Sequence, residues 1–234
     1  MAAGQLEQDR GLSEICRLDE TSVSIIGDRQ TLDFRLGMKL SGPMIGGLFC
    51  GVHPCAVQIK RAEMGLDIWM EHAWTQVPFY YTVMQEGPGI QITINDFFLK
   101  EDAPSMLGTR LIARMILLAR QIPALFSINA SATRWFIPRE GETLRQEVTG
   151  YYFFPLLGFD ANLERADDYI EIPETLKRKK LSQIMRDADL RQWWKENGQT
   201  IDVEFRLSNK RSLRTLMAYL DEKNIQIEDL FLAS

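Results

Sequence analysis

The sequence predicts a mixed α/β protein: a mostly antiparallel central sheet with a βαβ core, followed by a C-terminal α/β extension. Three observations carry this. Period-two alternation fills much of the first hundred residues, as in Ile90-Gln91-Ile92-Thr93-Ile94. The period then becomes that of a helix between Gly108 and Gln121, where Leu111, Ile112, Met115, Ile116, Leu118 and Ala119 share a side. A short apolar run from Ala124 to Asn129 follows at once. Strand, helix and strand within about forty residues is the βαβ unit, with a right-handed crossover and a second strand parallel to the first.

Taken in order, residues 1–20 read as an N-terminal arm, 21–160 as the main domain and 161–234 as an extension of it or a small second lobe. Thr21 to Ile26 and Thr31 to Leu36 alternate on either side of Gly27-Asp28-Arg29-Gln30, which predicts a β-hairpin. Ser41-Gly42-Pro43 and Gly46-Gly47 predict a flexible connection. Strands are expected over Ala56–Ala62, Leu66–Trp74 and Val77–Met84, then a tight turn at Gly87-Pro88-Gly89. Ile122-Pro123 ends the long helix. Residues 131–149 are polar and form an excursion, and Tyr151–Leu157 is aromatic and apolar, closed by Gly158-Phe159. Beyond it, Pro173 opens a helix, Asp187–Asn197 gives another, Thr200–Leu207 alternates as a strand, and Ser208 or Asn209 caps a helix carrying Leu213, Leu216 and Leu220.

Composition narrows the functional classes. The 234 residues are 45% hydrophobic and 25% charged, with 27 basic against 32 acidic side chains and a net charge of −5. That balance argues against a bulk electrostatic grip on nucleic acid. No apolar run approaches the ~20 residues that span a bilayer. Three cysteines and no basic, apolar leader point to a reducing, cytoplasmic setting. Cys50, His53 and Cys55 fall short of the two close pairs a structural zinc needs, so no metal site is expected.

The chemistry, if any, lies between Ile90 and Phe159. A strand delivers the chain into the loop Lys100–Thr109, which opens the long helix. Unpaired amides at a helix start accept anions, and Gly108 lets a ligand approach the backbone. Bases able to take a proton from an amine are Glu71, His72 and Asp96; alternation puts Glu71 and His72 on opposite sides of one strand, so only one faces a given cleft.

Strand, glycine loop, helix, strand ending at Asn129 and an aromatic helix ending Gly158-Phe159 together resemble the core of the GNAT acyltransferase superfamily. The residues that carry the resemblance are Gly108-Thr109-Arg110-Leu111, Asn129 and Leu157-Gly158-Phe159. It implies acetyl-CoA or another acyl-CoA as co-substrate and a small-molecule or protein amine as acceptor. It also implies that Phe98, Met106, Leu107, Gly108, Thr109 and Asn129 bind the cofactor, and that Tyr151 or Tyr152, with Glu71 and Asp96, does the proton chemistry. The pattern is altered in places. Met106 and Ala103 stand where the superfamily has a glycine and a polar residue, and Phe154 stands at its tyrosine. The usual helix pair after the first strand is not evident. The alternative is a non-catalytic GNAT-like module whose altered site or surface binds a protein partner or a second copy of the chain.

Overall fold

The computed structural model describes residues 12, 14, 16–87, 89–138, 145–163 and 173–231; for 134–138, 145–149, 174 and 177 it describes the backbone alone. Two compact units are present, one made of Met1–Ile128 with Leu220–Ser234, the other of Asn129–Tyr219. Among the described residues the strands form a mixed seven-stranded sheet and a two-stranded pair.

In the first unit, β1 (Val23–Gly27) runs parallel to β2 (Cys55–Arg61), with Val23 opposite Cys55. The hairpin expected over 21–36 is therefore not formed. Parallel neighbours need a crossover, which no tight turn supplies. Gly27 ends β1 at φ +100°, where a Cβ would lie 2.1 Å from the Ile59 carbonyl oxygen. Asp28 then caps α1 (Arg29–Leu36), its carboxylate accepting from the Thr31 amide at 3.0 Å. Leu32 and Leu36, four apart, are buried, while Phe34 is 85% exposed. The apparent alternation was one buried helical side with an outward residue between.

The expected flexible connection is also corrected: Gly42–Leu48 is a helix, α2. Ser41 caps it, accepting from the Met44 amide at 3.2 Å, and Pro43 sits in its first turn. Its glycines sit against neighbouring side chains. A Cβ on Gly47 would meet Leu118 at 2.5 Å, and one on Gly46 would meet Leu18 and Val23 at 2.9 Å. Burial against these neighbours outweighs the poor helix propensity of glycine.

Strands β2, β3 (Gly65–His72), β4 (Phe79–Glu86) and β5 (Gly89–Asp96) form the expected antiparallel meander. One face is the core: Val57, Ile59, Leu66, Ile68, Met70, Phe79, Tyr81, Val83, Ile90, Ile92 and Ile94 are all buried. The Tyr81 hydroxyl reaches across to donate to the Phe49 carbonyl, just past α2, at 3.1 Å. Helix α3 (Leu107–Ala119) follows and is buried almost throughout. Next comes β6 (Leu125–Ala132), which starts beside the start of β5: the Ile90 amide donates to the Ala124 carbonyl at 2.8 Å. That is the βαβ arrangement the sequence predicts. A short helix, α9 (Glu228–Phe231), completes this unit.

In the second unit, the polar excursion holds an antiparallel pair of strands, β7 (Arg134–Pro138) and β8 (Arg145–Thr149). The aromatic segment forms α4 (Gly150–Leu156), and three short helices follow: α5 (Glu174–Lys177), α6 (Leu181–Ile184) and α7 (Ala188–Asn197). Strand β9 (Ile201–Arg206) leads into α8 (Lys210–Glu222), whose first turn is held by the Asn209 side chain accepting from the Arg211 amide at 2.9 Å. Phe154, Phe159 and Phe205 pack edge to face in a line, at 5.1 and 5.5 Å between rings.

Candidate functional site

The start of α3 is built by strapping its loop to the β3–β4 turn. The Gln76 amide donates to the Phe98 carbonyl at 2.9 Å, the Lys100 amide to the Trp74 carbonyl at 3.0 Å, and the Lys100 ammonium to the Ala73 carbonyl at 2.7 Å. Phe97 closes the strap against Phe79 at 4.4 Å. Phe98 thus contributes its carbonyl to the scaffold, and its side chain is half-buried.

Met106 enters the helix in the left-handed conformation, φ 65° and ψ 3°. This is a backbone state that glycine adopts freely and that costs other residues roughly 1–2 kcal/mol. The position is the one where the superfamily pattern has a glycine. The Leu107 amide is used, donating to Pro104, and the Arg110 amide donates to Met106. Among the described residues the amides of Gly108 and Thr109 take no acceptor. Leu107 and Thr109 turn their side chains into the core, leaving Met106 and Gly108 half-buried at the entrance.

The basic candidates divide as the alternation requires. Glu71 is exposed on one face of β3 and His72 is buried on the other. His72 Nδ1 accepts the Trp74 amide at 3.1 Å, and its ring meets Phe79 edge-on at 5.2 Å. Burial first, then the Arg114 charge, lowers its pKa to about 4, so it stays neutral at pH 7. Asp96 is half-buried and stands opposite Tyr80 across the β4–β5 pair, on the same face as Glu71.

Asn129, Tyr151 and Tyr152 belong to the second unit. Asn129 is half-buried, and its Oδ1 is fully enclosed with no hydrogen-bond partner among the described residues. Tyr151 is 2% exposed and donates its hydroxyl to the Lys195 carbonyl at 2.6 Å, while its own carbonyl accepts from the Trp194 indole at 3.0 Å. These bonds fasten α4 to α7. Tyr152 remains half-buried, with the Lys195 ammonium 5.9 Å above its ring. Gly158 follows at φ +93°, where the Ser212 carbonyl oxygen occupies the place of a Cβ, 2.4 Å away.

Two features escape the sequence reading. Arg110 and Arg114 are buried on α3, at 2% and 3% exposure. The Arg114 guanidinium donates to the carbonyls of Cys16 and Gly51, and its charge is felt by Cys16, Cys50, Cys55, His72 and Tyr81. Burial nonetheless dominates at the thiols, raising Cys50 to about 12 and Cys55 to about 11. Among the described residues no group of three or more side chains is placed to hold a metal ion. The second feature is a stacked pair, Trp69 and Tyr80, with rings 5.2 Å apart and 13° from parallel. The signal for the first was two arginines four apart in an apolar helix, and for the second the alternation Asp67-Ile68-Trp69-Met70-Glu71.

No helix among the described residues is long and apolar enough to cross a membrane. No family model matches the chain, and no curated protein or solved structure gives a significant match.

Proposed function

We propose that the chain is an acyl-CoA-dependent N-acyltransferase, transferring an acetyl or other acyl group to an amine. The observation that carries this is the pair of uncommitted amides at Gly108 and Thr109, opening a thirteen-residue helix between β5 and β6. Partial positive charge gathers at such an end, and a diphosphate is its natural complement. The helix pair α1 and α2 between the first two strands adds support, since the resemblance calls for two helices there.

In this reading the main chain from Met106 to Thr109, with Phe98, holds the diphosphate end of the acyl-CoA. The amine nitrogen attacks the thioester carbonyl, forming the C–N bond as the C–S bond breaks. Glu71 or Asp96 takes the proton the amine gives up, and a hydroxyl returns one to the departing thiolate. Within the second unit the Tyr151 hydroxyl is committed to Lys195, which leaves Tyr152 as the phenol of the pair available to donate a proton.

The same commitment of Tyr151, with Phe154 locked into the ring line, favours a second reading: a non-catalytic module that has kept the scaffold and binds a protein partner or a second copy. Thermal melting with acetyl-CoA separates them. A functional site predicts stabilisation of about 2.7 kcal/mol at a hundredfold excess over Kd. Met106→Gly should bind at least as tightly as the parent, and Gly108→Val should lose binding with an unchanged circular dichroism spectrum. No shift at millimolar acetyl-CoA would end the enzyme reading.

A further inference from the structure

Opposite the core, the other face of β2, β3 and β4 carries half-buried or exposed residues: Ala56, Gln58 and Lys60, then Asp67, Trp69 and Glu71, then Tyr80 and Thr82. Along β3, Asp67, Trp69 and Glu71 alternate onto this face. At about 3.4 Å of rise per residue, the two acidic positions lie roughly 14 Å apart with the indole between them. Tyr80 stacks on that indole and donates its hydroxyl to Asp67 at 3.0 Å. Asp96 adds a third carboxylate opposite Tyr80.

Lys60 shows what this surface attracts, because its ammonium rests 4.9 Å over the Trp69 ring. A cation is drawn to the ring's electron-rich face, and the neighbouring carboxylates deepen the same potential. Burial first, then Asp67 and Asp96, raises the pKa of the Tyr80 hydroxyl. The first unit as a whole has twelve basic against eighteen acidic residues, and two of the twelve, Arg110 and Arg114, are buried. An anionic occupant is thereby disfavoured, and a compact single charge would leave most of the stripe unmatched.

We propose that this sheet face binds a linear polyammonium ion, its aliphatic stem along Trp69 and Tyr80 and its ammonium groups at Asp67, Glu71 and Asp96. Lys60 occupies part of the site in the ligand's absence and is displaced when it arrives. The inference names the acceptor class for the acyl transfer read above and rests on that reading only in that respect. Titration with spermidine and no CoA tests it alone, so the two can fail separately.

Calorimetric titration of the full chain at 0.15 M salt should show saturable binding. Trp69→Ala, and the pair Asp67→Asn with Glu71→Gln, should each weaken it about tenfold. Trp69→Phe, which keeps a ring, should restore part of the loss. Lys60→Met should tighten binding, and Lys39→Met, at an exposed position between α1 and α2, should change it less. Absence of spermidine binding by the parent protein overturns the proposal. So does a Trp69→Ala protein, folded by circular dichroism, that binds as the parent does, because attraction by diffuse charge alone would then suffice.

Discussion

Single residues here are held in states their type does not prefer, and each such state is measurable. His72 carries an imidazole whose Nδ1 is spent on the Trp74 amide and whose pKa is lowered to about 4, first by burial and then by Arg114. The unfolded chain takes up a proton near the ordinary value of about 6.5, which the folded chain declines until about 4. Stability is therefore full above pH 6.5 and falls as the pH drops through that window. The expected loss is on the order of 2–3 kcal/mol. Urea unfolding at pH 7.5 and pH 4.5 measures it, and His72→Asn, which can keep an acceptor for the Trp74 amide, should flatten the difference. Met106 is the other case. Nothing in its residue type announces a positive φ, so the sequence located the loop but not the strained entry to the helix.

At the level of elements, strands β2 to β4 and β9 were readable because each pairs one buried side with one wetter side, and helix α3 because its apolar residues recur at helical spacing although nearly all of it is buried. Helices α1 and α2 were not. In α1 the eight residues are too few for period 3.6 to separate from period two, and Leu32 and Leu36 fit both. In α2 the signal was inverted: Gly42, Gly46 and Gly47 look like loop residues, yet each is buried. What holds α2 is tertiary packing and its cap, so the cap should count. Ser41→Ala is expected to cost about 1 kcal/mol in denaturant unfolding with an unchanged m-value. Of the candidate site, the helix opening and the opposed placement of Glu71 and His72 were legible. The role of Tyr151 as a fastener of α4 was not, because it depends on a carbonyl 44 residues later in the chain.

Across the whole molecule, acidity is unevenly shared. The second unit holds fifteen basic against fourteen acidic residues, so the net charge of −5 comes from the first. A uniform charge count argues against a bulk grip on nucleic acid but carries no information about any one face of the sheet. The buried guanidinium of Arg114 has a consequence on this scale too. Its acceptors are the carbonyls of Cys16 and Gly51, nearly a hundred and some sixty residues away in the chain. A protein trimmed of its first twenty residues, Cys16 among them, would leave that positive group short of one acceptor beside the two remaining sulfhydryls, Cys50 and Cys55. Such a shortened chain should melt earlier and colour rapidly with Ellman's reagent, whereas the intact one, its thiols protonated and shielded, should react only after denaturation.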